Sequence, residues 1–471
     1  MVRGSAASRD TEDAWLGTSL IGVAHRQILC AHERKVLVAG NWNRRRFLRS
    51  SALAPLGVWA AGTHAGARDR SPNEKLNIGI IGVHGRGAAN TAAVESENIV
   101  ALCDVDENYL GEAVRKYPRA RTYIDWRKML DQKDIDAVVV STTEHTHALV
   151  SILAMRRGKH VYCEKPLAHS VYEARLMRET SKQMKVATQM GTQIHATDNY
   201  RRVVEWIRAG VIGPVRDVHV WVDQGIEGPR NRPTDNPPIP EGLHWDLWLG
   251  PAPWRPYHPC YFQKRSLSWQ NWWDFGNGAL GDMGSHTIDL PFWALELQYP
   301  ATIEAEGPLP VRPETYPDHL IVRWEHPARG TRPPLRLTWY DGGRRPKSPE
   351  GVDLSKWHLG MLFVGDKGIL LADYGKRILL PEANFRDFVA PKQAIPPSLG
   401  HHQEWIHACK TGAPTLCNFE YSGTLIEHNL LGTVAFRVGK KLEWVPEELK
   451  ARNCLEADRL LRPPSREGWT V

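Results

Sequence analysis

Residues 276–289 read G-N-G-A-L-G-D-M-G-S-H-T-I-D. Asp282 and His286 are four apart, and Asp289 follows His286 by three. Helical spacing puts them on nearly one face. A histidine backed by a carboxylate is an oriented general base with a raised pKa. A glycine-rich turn with a capping aspartate and a buried histidine fits the same letters. Two more sets stand upstream, S-T-T-E-H-T-H at 141–147 and Y-C-E-K-P at 162–166. Singly, His145 and His147 read equally as helix caps and Lys165 as a surface lysine. Together they read as a site. The turn Gly82 to Gly87, G-V-H-G-R-G, has Gly82 and Gly87 at the first and third positions of G-x-G-x-x-G. His84 takes the middle position, with Gly85 one residue later. Between a strand and a helix, such a turn lets backbone approach a pyrophosphate. Asp104 lies 22 residues past Gly82. A carboxylate there accepts hydrogen bonds from the adenosine ribose and repels a 2′-phosphate. The set points to NAD, while Arg86 leaves NADP open.

These residues need strands that end in one crevice. Leu76–Gly82, Ile99–Cys103, Ile135–Ser141, His160–Cys163 and Val186–Gln189 are short apolar runs, read as buried strands. Between them, 85–96, 108–116, 145–157 and 171–184 read as helices. The alternation predicts a parallel sheet with helices on both faces. Ligands in such sheets bind outside the carboxyl ends of the strands, where all three upstream sets fall. Farther on, Val215–Asp223, Arg336–Tyr340 and Met361–Val364 read as strands, and 229–242 as a long Pro-rich loop.

These motifs resemble the glucose–fructose oxidoreductase, inositol dehydrogenase and MocA (Gfo/Idh/MocA) family. The carrying residues are Gly82–Gly87, Asp104, Thr143–His147, Glu164-Lys165-Pro166 and Asp282–His286. The likeness spans roughly residues 75–450 and is nearest to exported, tryptophan-rich members. It departs at His84, and at Thr143-Glu144 where many members have Pro-Asp. The resemblance implies an α/β fold, with a Rossmann domain over 75–195. An α+β domain with a mostly antiparallel open sheet follows over 196–450, then a tail, 451–471. It implies Lys165, Asp282 and His286 as catalytic residues beside the nicotinamide. It implies cofactor contacts from Gly82, His84, Gly85, Arg86, Gly87, Asp104, Thr143, His145, His147, Glu164 and Lys165. In sugar oxidation, His286 would take the hydroxyl proton, Lys165 would hold the oxygen, and Asp282 would orient the sugar or tune His286. An NAD-dependent glycosidase, using transient oxidation without net redox change, fits the same residues. The family implies a dimer or tetramer. Six of 19 tryptophans fall within 245–273. They suit a sugar-stacking platform, core packing or a subunit interface.

Of the chain's 60 basic and 53 acidic residues, nine Lys/Arg and four acids lie in residues 1–67. The remainder is nearly balanced, which gives no reason to expect a nucleic-acid partner. No run of 18 apolar residues exists, which excludes a polytopic membrane protein. Asn43–Arg49, N-R-R-R-F-L-R, precedes a short apolar stretch and Ala65-Gly66-Ala67. That resembles a twin-arginine export signal cleaved near Ala67, and a basic N-terminal anchor that is never cleaved fits the same letters. The export signal predicts a periplasmic or exported protein that meets the twin-arginine machinery already folded, with its cofactor tightly held and recycled. Cys103 and Cys163 read as buried thiols. No cysteine spacing suggests zinc, and no metal is expected.

Overall fold

The computed structural model describes residues 75–225, 231–261 and 267–470. The basic leader and its cleavage motif lie outside them.

The first domain runs β1 (Asn77–Ile81), α1 (Arg86–Ala93), β2 (Asn98–Cys103), α2 (Glu107–Lys116), β3 (Arg121–Tyr123) and α3 (Trp126–Leu130). It continues with β4 (Ala137–Val140), α4 (Glu144–Arg156), β5 (His160–Cys163), α5 (Val171–Met184) and β6 (Thr188–Met190). The strands form one parallel sheet in the order β3-β2-β1-β4-β5-β6. The central strands β1 and β4 are buried almost throughout, which explains their unbroken apolar runs. Strand β3 is absent from the sequence reading. It is an edge strand of three residues, R-T-Y, with none fully buried, so it carries no apolar signal.

The second domain opens with α6 (Asp198–Arg208), β7 (Val215–Val222), α7 (Trp245–Leu249), α8 (Gly278–Thr287) and α9 (Asp289–Ala294). Strands β8 (Thr302–Glu306), β9 (Ile321–His326), β10 (Leu335–Tyr340), β11 (Leu359–Gly365), β12 (Gly368–Ala372) and β13 (Arg377–Leu380) follow. Then come α10 (His401–Thr411), α11 (Phe419–Val438), β14 (Leu442–Val445), β15 (Lys450–Ala451) and α12 (Asp458–Leu461). The nine-stranded sheet runs β13-β12-β11-β7-β10-β9-β8-β14-β15. Its pairs are antiparallel except β10 with β7.

The two domains share packing. Trp405 and Ile406 of α10 join the core formed by Ile78, Ile80 and Tyr162 of the Rossmann sheet. Arg175 of α5 pairs with Glu427 of α11 at 2.6 Å. The last residues are not a loose tail. Trp469 is buried against Trp126, and Arg466 donates to the carbonyl of Gly250 at 3.0 Å.

The tryptophan cluster is largely core. Trp245, Trp248, Trp272 and Trp273 are buried, and only Trp254, 66% exposed, offers a broad free face. Rings of Tyr261, Trp272 and Phe275 surround the buried Arg255 guanidinium, which pairs with Asp274. A sugar platform made of the whole cluster is therefore ruled out. All six described cysteines are free thiols.

Candidate active site

The nucleotide turn is built by close approach. The peptide N–H of Gly82 donates to Cys103 O at 2.9 Å, tying the end of β1 to β2. A Cβ on Gly87 would stand 1.9 Å from Gly82 O, so only glycine lets α1 start this near the strand. Gly85 has φ +55 and nothing within 4 Å of its Cβ position. The space in front of the first turn of α1 is open, as a phosphate on the helix N-terminus requires. His84 does not fill it. Its ring stacks on Tyr109 of α2, centroids 3.9 Å apart and planes at 10°. Asp104 stands at the end of β2, partly exposed. Its Oδ2 accepts from Val83 N at 2.9 Å and its Oδ1 from Asp106 N at 3.0 Å. Burial raises its pKa, against the pull of those backbone donors. The carboxylate thus locks the turn to the strand and keeps further lone pairs for a ligand. The turn fits a dinucleotide.

Helix α8 carries the downstream set. Its glycines make it a poor helix on propensity alone, and packing holds it. Gly278, at φ +60, lies against the Tyr316 ring, where a Cβ would come within 2.2 Å. Ser285 Oγ returns to Gly281 O at 2.6 Å. This burial aims Asp282, itself 3% exposed, at the end of β5. There Lys165 Nζ forms an ion pair with Asp282 Oδ1. Gln224, just past β7, donates to Asp282 Oδ2 at 3.3 Å. Burial opposes the charge on both partners, but their mutual attraction outweighs it. Lys165 is held above, and Asp282 below, its ordinary pKa.

His286 differs from the expectation. Asp282 is engaged by Lys165 and Gln224, and Asp289 faces away. Asp289 accepts from His195 Nδ1 at 2.8 Å and from the Tyr421 hydroxyl at 2.7 Å. His286 Nδ1 is buried without a partner among the described residues. Burial, reinforced by the Lys165 charge, pushes its pKa down to about 3, not up. The resting imidazole is neutral. One face of its ring meets Tyr374, centroids 6.5 Å apart at 73°. The Tyr374 hydroxyl is also buried and has no hydrogen-bond partner among the described residues.

The upstream residues divide into cleft and scaffold. His147 sits between Pro166 O (2.7 Å) and Thr142 O (2.9 Å), bridging the turns after β5 and β4. In the neutral form favoured by burial, one N–H serves one of those carbonyls. His145 Nε2 lies 3.0 Å from Trp248 O, and burial, then the neighbouring His169, take its pKa to about 3. Both rings are buried; His147 braces the turns after β4 and β5, and His145 braces the end of α7. Thr143 is the N-cap residue of α4, making no side-chain cap bond. Glu164 Oε1 accepts from Asn90 and Gln193, at 2.9 and 2.8 Å, and Oε2 accepts from Lys165 N at 3.2 Å. It is an anchor for the lysine turn. Arg86 is exposed at the start of α1, and its charge helps keep His286 and His402 neutral.

Three groups escaped the sequence reading. Gln224 follows a strand with no local signal. Tyr374 lies in a turn after β12. Glu144 is 3% exposed, and burial and the Asp282 charge drive its carboxyl well up, against the pull of Lys165. His195, Asp289 and Cys417 also lie together, all buried. Asp289 already receives two donors there, and burial, with Asp289 beside it, holds the Cys417 thiol well up. This is a hydrogen-bonded cluster, not a thiolate site.

The oxidoreductase-family profile for the NAD-binding Rossmann fold matches residues 76–192, and the profile for the family's C-terminal alpha/beta domain matches 227–471. The chain belongs to the Gfo/Idh/MocA oxidoreductase family. Its first domain is the family's NAD-binding Rossmann domain. Levoglucosan dehydrogenase of Pseudarthrobacter phenanthrenivorans is 26% identical over 46% of this chain and 50% of its own length. Inositol 2-dehydrogenase of Salmonella paratyphi B is 32% identical over 31% and 43%. A glycosyl hydrolase family 109 protein of Solibacter usitatus is 30% identical over 36% and 43%. The chain thus spans about half the length of these curated relatives, or less. Among solved structures, the WlbA dehydrogenase of Bordetella pertussis, in complex with NADH and UDP-GlcNAcA, superposes with a TM-score of 0.56. It is 17% identical, and the match covers 79% of this chain and 99% of that one. A levoglucosan dehydrogenase complex with NADH and levoglucosan gives 0.54, at 17% identity, covering 79% and 100%. At such identities the likeness shows the fold alone.

Proposed function

We propose that this Gfo/Idh/MocA protein is an NAD-dependent dehydrogenase that oxidises a hydroxyl of a sugar or sugar derivative. The observation that carries the reading is the buried Lys165–Asp282 pair, with His286 one helical turn along α8. The names of the relatives, levoglucosan and inositol dehydrogenases, support the substrate class.

The turn Gly82–Gly87 and the first N–H groups of α1 would hold the pyrophosphate, and Asp104 the adenosine ribose. When bound, the nicotinamide supplies the two-electron acceptor. Lys165 Nζ, kept charged by Asp282, donates to the substrate hydroxyl oxygen and stabilises negative charge as it develops there. His286, neutral in the resting site, accepts the hydroxyl proton at a ring nitrogen. Its low resting pKa reflects burial and a nearby cation. Negative charge developing on the oxygen beside Lys165 offsets that cation and strengthens the base when it is needed. Gln224 fixes the second oxygen of Asp282, so the pair keeps its orientation.

The leader motif supports export by the twin-arginine route, and with it a cofactor retained and returned to its starting state in each cycle. Dimer or tetramer formation is the family expectation. The test is to purify the protein without added nucleotide, denature it, and measure released NAD(H). Levoglucosan, inositols and aryl glycosides are then offered, with nicotinamide absorbance and aglycone release both followed. Reduction of the cofactor by a sugar, lost in Lys165→Ala, is the expected result. Aglycone release without net reduction would replace the dehydrogenase with a glycosidase. A nucleotide-free protein that works only with added NAD would remove the retained-cofactor reading.

A further inference from the structure

Behind the catalytic helix lies a cavity of about 260 Å³ that the proposed chemistry does not use. The start of α5, the end of α11, the segment before α8 and the C-terminal Pro463–Ser465 bound it. None of Lys165, Asp282, His286, Asp104 or the glycine turn lines it.

Its lining carries more positive than free negative charge: Arg437 and Arg459 stand with Asp274, whose carboxylate is engaged by the buried Arg255. Arg437, in the last turn of α11, lays its guanidinium over the Trp273 ring, 4.8 Å from the centroid. Among the described residues it has no hydrogen bond or ion pair. Asp274, the carboxylate whose charge it feels, is already paired with the buried Arg255. Arg459 adds a second cation on the lining. The other titratable groups on the wall bring little negative charge. Glu173 accepts the N–H groups of His169 and Ser170, at 3.1 and 2.9 Å, and burial holds it at about 7. Burial keeps His145 and His169 neutral, at about 3 and 4. Arg437 is partly buried, and burial disfavours its charge; a guanidinium so placed without a hydrogen-bonded anion is costly, and proteins normally supply one. The remaining wall mixes hydroxyls with apolar side chains such as Val434 and Leu460.

We propose that this cavity is a second ligand site, which takes a small organic carboxylate. The carboxylate head meets the planar fork of Arg437, a geometry that guanidinium suits. The body lies between Trp273 and the C-terminal segment. The ligand would also touch the base of the catalytic helix. Asn277, the N-cap residue of α8, lines the cavity. Its Nδ2 donates to His169 O at 2.8 Å, and its Oδ1 accepts from Thr433 at 3.3 Å.

The test uses the full chain with saturating NAD, so that the dinucleotide cleft is occupied. Benzoate, its neutral match benzamide, and inorganic phosphate are titrated by calorimetry and by thermal melting. Benzoate should bind and raise the melting temperature, while benzamide and phosphate should do neither. Arg437→Gln should weaken benzoate at least tenfold and leave NAD affinity unchanged. Ser465→Glu, an exposed change that puts a carboxylate at the rim, should weaken it without loss of fold, and stands in if Arg437→Gln does not fold. Equal binding of benzoate and benzamide, binding of phosphate alone, no benzoate binding, or benzoate affinity unchanged in either variant would overturn the proposal.

Discussion

At the scale of single residues, the site is a set of charges sorted by burial. Lys165 and Asp282 keep theirs because each is the other's partner. Glu144, equally buried and without such a partner, is pushed toward its neutral form. Glu144→Gln, which copies a neutral acid, should therefore leave turnover within a few-fold, whereas Asp282→Asn should strand the lysine charge and lower turnover steeply. Steady-state kinetics on the same substrate compare the two. Lys165→Ala and His286→Ala should each reduce turnover by about a hundredfold or more, the scale of a lost acid–base group. Nucleotide affinity, read by calorimetry, should persist in both. In the first domain, Asp104→Ala should weaken NAD more than NADP, because it removes both the ribose acceptor and the charge that repels a 2′-phosphate. Equal weakening would show that Asp104 serves only to tie Val83 to the strand end.

At the scale of elements, two contacts decide whether the site forms. Helix α1 comes close to β1 at Gly87, and α8 packs on the Tyr316 ring, in the loop between β8 and β9, at Gly278. At Gly278 both the positive φ and the Tyr316 ring exclude a side chain. Gly278→Ala should destabilise the protein by about 2 kcal/mol or more, from overpacking and backbone strain together. Chemical denaturation measures it. An unchanged midpoint would mean that Tyr316 moves aside freely.

At the scale of the whole molecule, buried histidines dominate the pH response. Burial lowers His145, His286 and His401 to about 3, and His169, His402 and His428 to about 4. Each takes up its proton more readily in the unfolded chain, near pH 6.5. Their contribution is complete above that pH and is lost as pH falls toward their folded values. Glu173 and Asp341, raised to about 7, and Asp104, Glu144 and Glu427, raised by burial, act in the opposite sense, but the histidines, with His147, His219, His319 and His326 lowered as well, outnumber them. The denaturation midpoint should fall as pH drops from about 6.5 to 4.5. A midpoint that rises over that interval would contradict the neutral, buried state of these rings. The C-terminal segment belongs to the same whole. Trp469 packs on Trp126 and under the Arg127 guanidinium. Trp469→Ala should cost about 3 kcal/mol, which a disposable tail would not.

The sequence by itself determined the Rossmann domain, because strands buried on both faces must be apolar throughout and their glycine turn tolerates no substitute at Gly87. It determined the pairing of Lys165 with a downstream acid only through the family resemblance, and it left β3 out because an edge strand needs no apolar pattern. Tertiary structure alone decided the rest. Helical spacing put Asp282, His286 and Asp289 near one face, but spacing cannot say which partner each one meets. Lys165 approaches from β5 and takes Asp282, His195 takes Asp289, and His286 is left neutral. The same limit explains His145 and His147, whose rings hold backbone carbonyls, and the tryptophans of 245–273, most of which are buried in the core. Tyr374, Gln224 and Arg437 gain their meaning from neighbours distant in the chain, and a pKa is set by those neighbours, not by residue type.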